Sequence, residues 1–135
     1  MNQSIMLVKA IIERGEDGLY SVYSSDHIGK SYFGGFGESV VDAKADFMVS
    51  IQEAIKEENA AIDPTCVEVE YHYDIPSFFN CFDFINVSKF AELAGINESK
   101  MRAYKSGVAF PGEKTMAKIS NAVRKIGIEL SSAGL

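Results

Sequence analysis

The apolar pattern of this chain changes period once, near residue 75, and that change limits the fold more than any other feature of the sequence. Upstream, short alternating or apolar runs surround a single stretch of helical spacing. Downstream, the apolar residues recur at three- and four-residue intervals, with no strand pattern from Pro76 onward. Alternation suits a strand, whose side chains point to opposite faces in turn, and three-and-four spacing suits one stripe of a helix. The sequence therefore predicts an α+β chain in two parts: a small β-β-β-α-β domain over residues 1–75 and an all-α domain over 76–135. A length of 135 residues is enough for two small domains and too short for a large multi-domain enzyme.

In the first part, residues 5–12 form an apolar run that ends at Gly15-Glu16-Asp17-Gly18, and residues 19–24 are aromatic and β-branched. Two such runs around a glycine-bearing turn predict a β-hairpin. Residues 31–36 predict a third strand weakened by glycine. Ser39 and Asp42 stand at capping-box spacing, and behind them Val40, Ala43, Phe47, Ile51, Ala54 and Ile55 mark a helix over about 40–58, stopped by Asp63-Pro64. Residues 66–73 alternate, with Val67, Val69, Tyr71 and Tyr73 on one face and Glu68, Glu70 and His72 on the other, as a half-buried strand does.

Charge divides at nearly the same place. The net charge of −6 averages five basic and fifteen acidic residues over 1–85 with eight basic and four acidic over 86–135, so the halves carry −10 and +4. Two modules with different partners are expected, one of them suited to phosphate. Cys66 and Cys81 offer neither a metal-knuckle spacing nor a disulfide framework, which favours a reduced, cytoplasmic chain. The run at residues 5–8 is broken by Lys9 and lacks a cleavage site, so it does not read as a signal peptide. No apolar stretch approaches the roughly 18 residues that span a bilayer, and no membrane partner is expected.

The second part carries the functional pattern. Phe90 and Ala94 share one helical face, Gly95 follows, and then come Ile96, Met101 and Tyr104. This is the spacing of two helices joined by a tight turn: Asn86 and Asn97 can cap them, Gly95 supplies a positive φ, small Ala91 allows close crossing, and Ile96 plugs the junction. Asn97, Glu98, Ser99, Lys100, Arg102, Ala103, Lys105 and Ser106 are left on or near the outward face. A second helix exposed in this way is what a helix-turn-helix protein lays in the major groove. Arg102 suits a bidentate contact to guanine, Asn97 or Ser99 a base edge or phosphate, and Lys100 and Lys105 phosphate. Glu98 can accept from cytosine N4 or simply favour the helix dipole. An αα-hairpin of purely structural value shares the same turn and stripes. Pro111 precedes a last helix over about 113–126, with Met116, Ile119, Val123 and Ile126 closing the core and Lys114 placed nearest to a phosphate contact.

The stretches DGLYSVYSSD (17–26), GFGESVVDAKADFMVSIQEA (35–54), SFFNCFDFINVSKFAELAGINESKMRAYKSG (77–107) and PGEKTMAKISNAVRKIG (111–127) resemble the HicB-like antitoxins, in the branch with a C-terminal Cro/repressor-like DNA-binding domain. The resemblance implies a partial RNase H-like N-terminal domain that binds and neutralises a small, basic HicA-type mRNA-cleaving toxin. It also implies a C-terminal repressor domain that dimerises on palindromic double-stranded operator DNA and regulates transcription of its own operon. One departure stands out. Where such domains often carry basic residues after the recognition helix, this chain has Val108-Ala109-Phe110, so affinity there is either lower or made up by multivalent binding.

No catalytic residue, metal ligand or cofactor is expected. An RNase H-like site needs several carboxylates converging on divalent metal, one from mid-strand, yet Lys9 is the charged residue within residues 5–12 and Glu13, Glu16 and Asp17 lie beyond it. Gly34-Gly35-Phe36-Gly37 lacks the Gly-Lys-Ser/Thr ending of a phosphate loop, and His27 and His72 have no neighbouring nucleophile. A homodimer or higher oligomer is expected, because a repressor of this kind places two recognition helices about 34 Å apart and one chain supplies one. A stand-alone interaction module, whose helical half only packs or oligomerises, is the competing expectation.

Overall fold

The computed structural model describes residues 6–25, 32–57 and 66–135. The expected starts of the first and third strands at Ile5 and Ser31, the Asp63-Pro64 stop and His27 lie outside the described residues. Those described form a four-stranded mixed sheet and five helices, an α+β fold. They divide into two compact units, Met1–Cys81 and Phe82–Leu135.

In the first unit, β1 (Met6–Arg14) and β2 (Tyr20–Ser24) form the hairpin, followed by β3 (Gly34–Gly37), α1 (Val40–Glu57), β4 (Val67–Tyr73) and α2 (Ile75–Cys81). The sheet order is β3-β2-β1-β4, with β2 antiparallel to both neighbours and β4 parallel to β1. The hairpin turn closes through Gly18, whose φ of 84° is open to glycine at no steric cost, and through the Asp17 carboxylate accepting from the Leu19 amide at 3.0 Å.

One face of the sheet is buried under α1. Val8, Ala10 and Ile12 of β1 and Tyr20 and Val22 of β2 meet Val40, Ala43, Phe47, Ile51 and Ile55 of the helix. The glycines of β3 set the closeness of this contact. A Cβ on Gly35 would stand 2.3 Å from the Phe47 amide nitrogen, and one on Gly37 would stand 2.6 Å from that of Ala43. The Ser39 hydroxyl caps the start of α1 by accepting from the Asp42 amide at 3.1 Å, as the capping-box spacing predicts.

Lys44 leans from α1 over the rings of Tyr71 and Tyr73, 4.4 and 5.1 Å from their centroids, and donates to the Tyr73 hydroxyl at 2.6 Å. Burial, with the Cys81 thiol beside it, pushes the Tyr73 phenol well above its ordinary range.

The division between the units falls after Cys81 rather than at residue 75, because α2 packs on β1, α1 and β4. Ile75, Ser77 and Phe79 of α2 are buried. Asp74 joins three elements: its backbone N–H donates to the Ile12 carbonyl, and its carboxylate accepts from the Arg14 and Ser77 amides at 3.0 and 2.9 Å. Asn80 accepts from the Val40 amide at 2.9 Å and so closes the first turn of α1.

The second unit contains α3 (Val87–Ala94), α4 (Glu98–Ser106) and α5 (Glu113–Ser132). Asn86 and Asn97 cap α3 and α4 with their side chains, and Gly95 and Gly107 end these helices in the left-handed conformation, with φ of 71° and 83°. Val87, Phe90, Ala91, Met101, Ile119 and Ala122 are buried. Val123 and Ile126 are half-buried, whereas Met116 remains 38% exposed and Ala122 takes the inward position. The last helix also runs past its expected end at Ile126, carrying Gly127 in its interior as far as Ser132. An exposed helical glycine costs only about 1 kcal/mol relative to alanine, so it need not stop a long helix. Among the described residues, no helix is long and apolar enough to cross a membrane.

Candidate functional site

Burial along α4 follows the helical period. Met101 is the one fully buried residue, Tyr104 and Ala103 are half-buried, and Asn97, Glu98, Ser99, Lys100, Arg102, Lys105 and Ser106 are exposed. At about 100° per residue, Met101 and Tyr104 define the inward side. The outward side then carries Glu98, Ser99, Arg102 and Ser106, with Lys100 and Lys105 on opposite flanks. The eight positions of this helix and its cap singled out from the sequence thus come together on one element. Lys114, exposed near the start of α5, stands on a separate helix of the same unit.

Several of these side chains already make contacts within the folded unit, and the Ser106 hydroxyl donates to the Ala103 carbonyl at 3.1 Å. Asn97 spends its Oδ1 on the helix cap, accepting from the Ser99 and Lys100 amides at 2.9 and 3.3 Å. Its amide NH2 group is left for a further contact. Glu98 and Arg102, one turn apart, form an ion pair: Oε1 accepts from Nη2 at 2.8 Å and from Nε at 3.2 Å. Ser88 of α3 completes the cluster, its hydroxyl donating to the same Glu98 Oε1 and accepting from Arg102 Nη2 at 3.0 Å. The Ser88 hydroxyl bond, ahead of the Arg102 guanidinium, holds the Glu98 carboxyl below the usual carboxylate range. Ser88 was not among the residues singled out from the sequence. It lies ten positions from Glu98 across the Gly95 turn, a separation that no helical or strand periodicity marks.

The loop between α4 and α5 presents Val108 at 79% exposure and Phe110 at 85%, while Phe84 ahead of α3 is 74% exposed. These are large apolar side chains in water, beside a helix that is otherwise polar outside.

In the first unit the sheet face away from α1 is open. Tyr23, Ile11 and His72 stand in one row, Lys9 and Glu70 in the next, and Leu7 and Glu68 in a third. Tyr23 donates to the Glu13 carboxylate at 2.8 Å, and that bond raises the Tyr23 phenol above its ordinary value. A groove of about 430 Å3 lies here, lined by Lys9, Ile11, Glu13, Ser25, His72 and Asp74 among others. The outer side of α1 adds Asp42, Asp46, Glu53 and Glu57 around Val41 and Val49, all exposed. Among the described residues, no group of three or more His, Cys, Asp or Glu side chains is placed to hold a metal ion.

No family model, curated protein or solved structure matches this chain.

Proposed function

We propose that the chain is a non-enzymatic, cytoplasmic antitoxin and autorepressor of the HicB-like kind, with a helix-turn-helix unit that binds operator DNA and an acidic unit that docks a small, basic HicA-type toxin. The observation that carries the DNA reading is the surface of α4. A helix capped by Asn97, turned in from α3 through a left-handed Gly95, and anchored through Met101, leaves its polar residues outward in the half of the chain that carries +4. Lys and Arg that neutralise phosphates supply most of the sequence-independent affinity for DNA, and Lys100, Lys105 and Lys114 suit that role.

The mixed sheet with β4 parallel to β1 and a single helix on one face supports a partial RNase H-like reading of the first unit. Its open face and the outer side of α1 are rich in carboxylates, which suits encounter with a basic, RNA-handling protein. A dimer on DNA supplies the second recognition helix that one chain lacks.

Titration of the full chain against its own gene's upstream DNA, followed by fluorescence anisotropy, tests the repressor reading. Salt-dependent binding is expected, and no binding even at low salt overturns it. Co-purification with the product of an adjacent short, basic reading frame tests the antitoxin reading. A product that does not bind, or that leaves cells unharmed when expressed alone, removes it. A second reading draws on the exposed Val108 and Phe110, which favour an interaction or oligomerisation role for the helical unit. That role is the outcome if the chain self-associates through this loop and ignores DNA.

A further inference from the structure

The Ser88–Glu98–Arg102 cluster makes a statement about which base pair α4 recognises. Glu98 Oε1 takes the Ser88 hydroxyl and both Arg102 contacts, and Arg102 engages through Nε and Nη2. None of these contacts uses Glu98 Oε2 or Arg102 Nη1. Glu98 Oε2, an acceptor, and the two N–H donors of Arg102 Nη1 therefore take no part in the cluster, and both side chains are exposed on α4.

On the reading that α4 is laid against DNA, we infer that Glu98 and Arg102 act as one unit that reads a single G·C base pair in the major groove, with Ser88 as the residue that positions them. The edge of a G·C pair presents the complement of the two remaining groups. Cytosine N4 donates beside guanine O6, and guanine N7 adds a second acceptor next to O6. An A·T pair also offers an amine and a carbonyl, but its acceptors are separated by the adenine amine, and the thymine methyl crowds O4.

Pairing also determines what the two charges contribute. A lone arginine would take any phosphate, and a lone glutamate would be repelled by all of them. Tied together they are close to neutral, so they add little to non-specific attraction and act mainly on base edges. Ser88 fixes the orientation from a different helix: it donates to the carboxylate and accepts from the guanidinium, so the pair is held at both ends of its contact. Glutamate one turn ahead of its cationic partner is also the favourable order along a helix.

The test uses the full chain and duplexes from its own upstream region. Within the bound segment each base pair is replaced in turn by the other three, and affinities are read by anisotropy for the wild type, Glu98→Ala, Ser88→Ala and Ser88→Thr. All four proteins are checked for equal melting, which the exposed position of Glu98 makes straightforward. The wild type is expected to lose roughly tenfold in affinity when one G·C pair per half-site is changed or reversed. In Glu98→Ala the discrimination at that pair should fall below about threefold while affinity for all duplexes rises, because a repelling charge has gone and Arg102 is freed for phosphate. Ser88→Ala should lose discrimination without that general gain, and Ser88→Thr, which keeps the hydroxyl, should restore it. Sequence-selective binding whose base preferences are the same in Glu98→Ala overturns this inference and leaves the DNA reading standing. Absence of binding by the wild type to any duplex at low salt overturns both.

Discussion

Replacing Gly35 with alanine should strongly destabilise the first unit while leaving the second intact. The added Cβ would stand 2.3 Å from the Phe47 nitrogen, 2.8 Å from the Ala43 carbonyl oxygen and 2.8 Å from the Phe47 Cα. All three are backbone atoms of α1, so no side-chain rotation relieves the contact. Either α1 lifts from β3 or the strand moves away, and both pull Ala43 and Phe47 out of a core where each is 0% exposed. Overpacking a core typically costs about 1–3 kcal/mol, and the upper end or beyond is expected when only backbone can yield. A unit of this size holds about 4–12 kcal/mol in all, so a loss of about 3 kcal/mol is a large share. It corresponds to roughly 12–24 °C in melting temperature. Tyrosine is a convenient probe, since the chain has no tryptophan and five of its six tyrosines lie in the first unit. Near-ultraviolet circular dichroism should show the tyrosine signal melting early, with the helical signal of the second unit retained. Gly34→Ala is the control, because its Cβ would meet only the Val22 carbonyl, at 3.6 Å, and it should be neutral or slightly stabilising. A Gly35→Ala protein that melts within about 3 °C of the wild type, or a Gly34→Ala protein that falls as far, would refute the packing argument.

Three further outcomes are expected. Ser77→Ala should leave stability unchanged or raise it by about 1 kcal/mol in urea denaturation, because the Ser77 hydroxyl is fully buried with no hydrogen-bond partner among the described residues. Asn86→Ala and Asn97→Ala should each cost about 1 kcal/mol, measured the same way, through loss of the side-chain caps of α3 and α4. Glu98 should titrate below an ordinary glutamate in a side-chain carboxyl NMR experiment, and Ser88→Ala should move it upward, since the Ser88 bond is the main cause of its low value. A carboxyl held low favours the folded cluster above its unfolded-state pKa and loses that contribution as pH falls through the lowered value, so the cluster should loosen on acidification rather than toward alkaline pH.

How far the sequence revealed this architecture depended on the reach of each interaction. The strands β1, β2 and β4 and the helix α1 are local patterns, and alternation at residues 66–73 or three-and-four spacing behind Ser39 suffices to place them. The paired caps Asn86 and Asn97 and the turn at Gly95 are equally local, which is why the α3–α4 pair and the exposed set on α4 could be read directly. Helix α2 could not be assigned to the first unit this way: seven residues make barely two turns, and its place rests on Phe79 burial and on contacts from Asp74 and Asn80 to residues 60 and 40 positions away. The apolar spacing placed the end of α5 near Ile126, the last of its core positions, whereas the exposed turns beyond it carry Gly127 and continue to Ser132. On α4 the polar residue types marked the positions that are exposed, whereas the tie of Arg102 to Glu98 and Ser88 is a matter of side-chain geometry across a turn.

The position of Asp74 and Asn80 has a consequence for the order in which the first unit matures. Synthesis proceeds from the N-terminus, so the hairpin, β3 and α1 exist as chain before either residue has been added. Until Asp74 and α2 emerge, the end of β1 lacks the partner of the Arg14 amide and the first turn of α1 lacks the acceptor for the Val40 amide. The last eight residues of this unit, from Asp74 to Cys81, are thus its fastener, and a nascent chain that stalls before them holds the acidic surface without the means to fix it in shape.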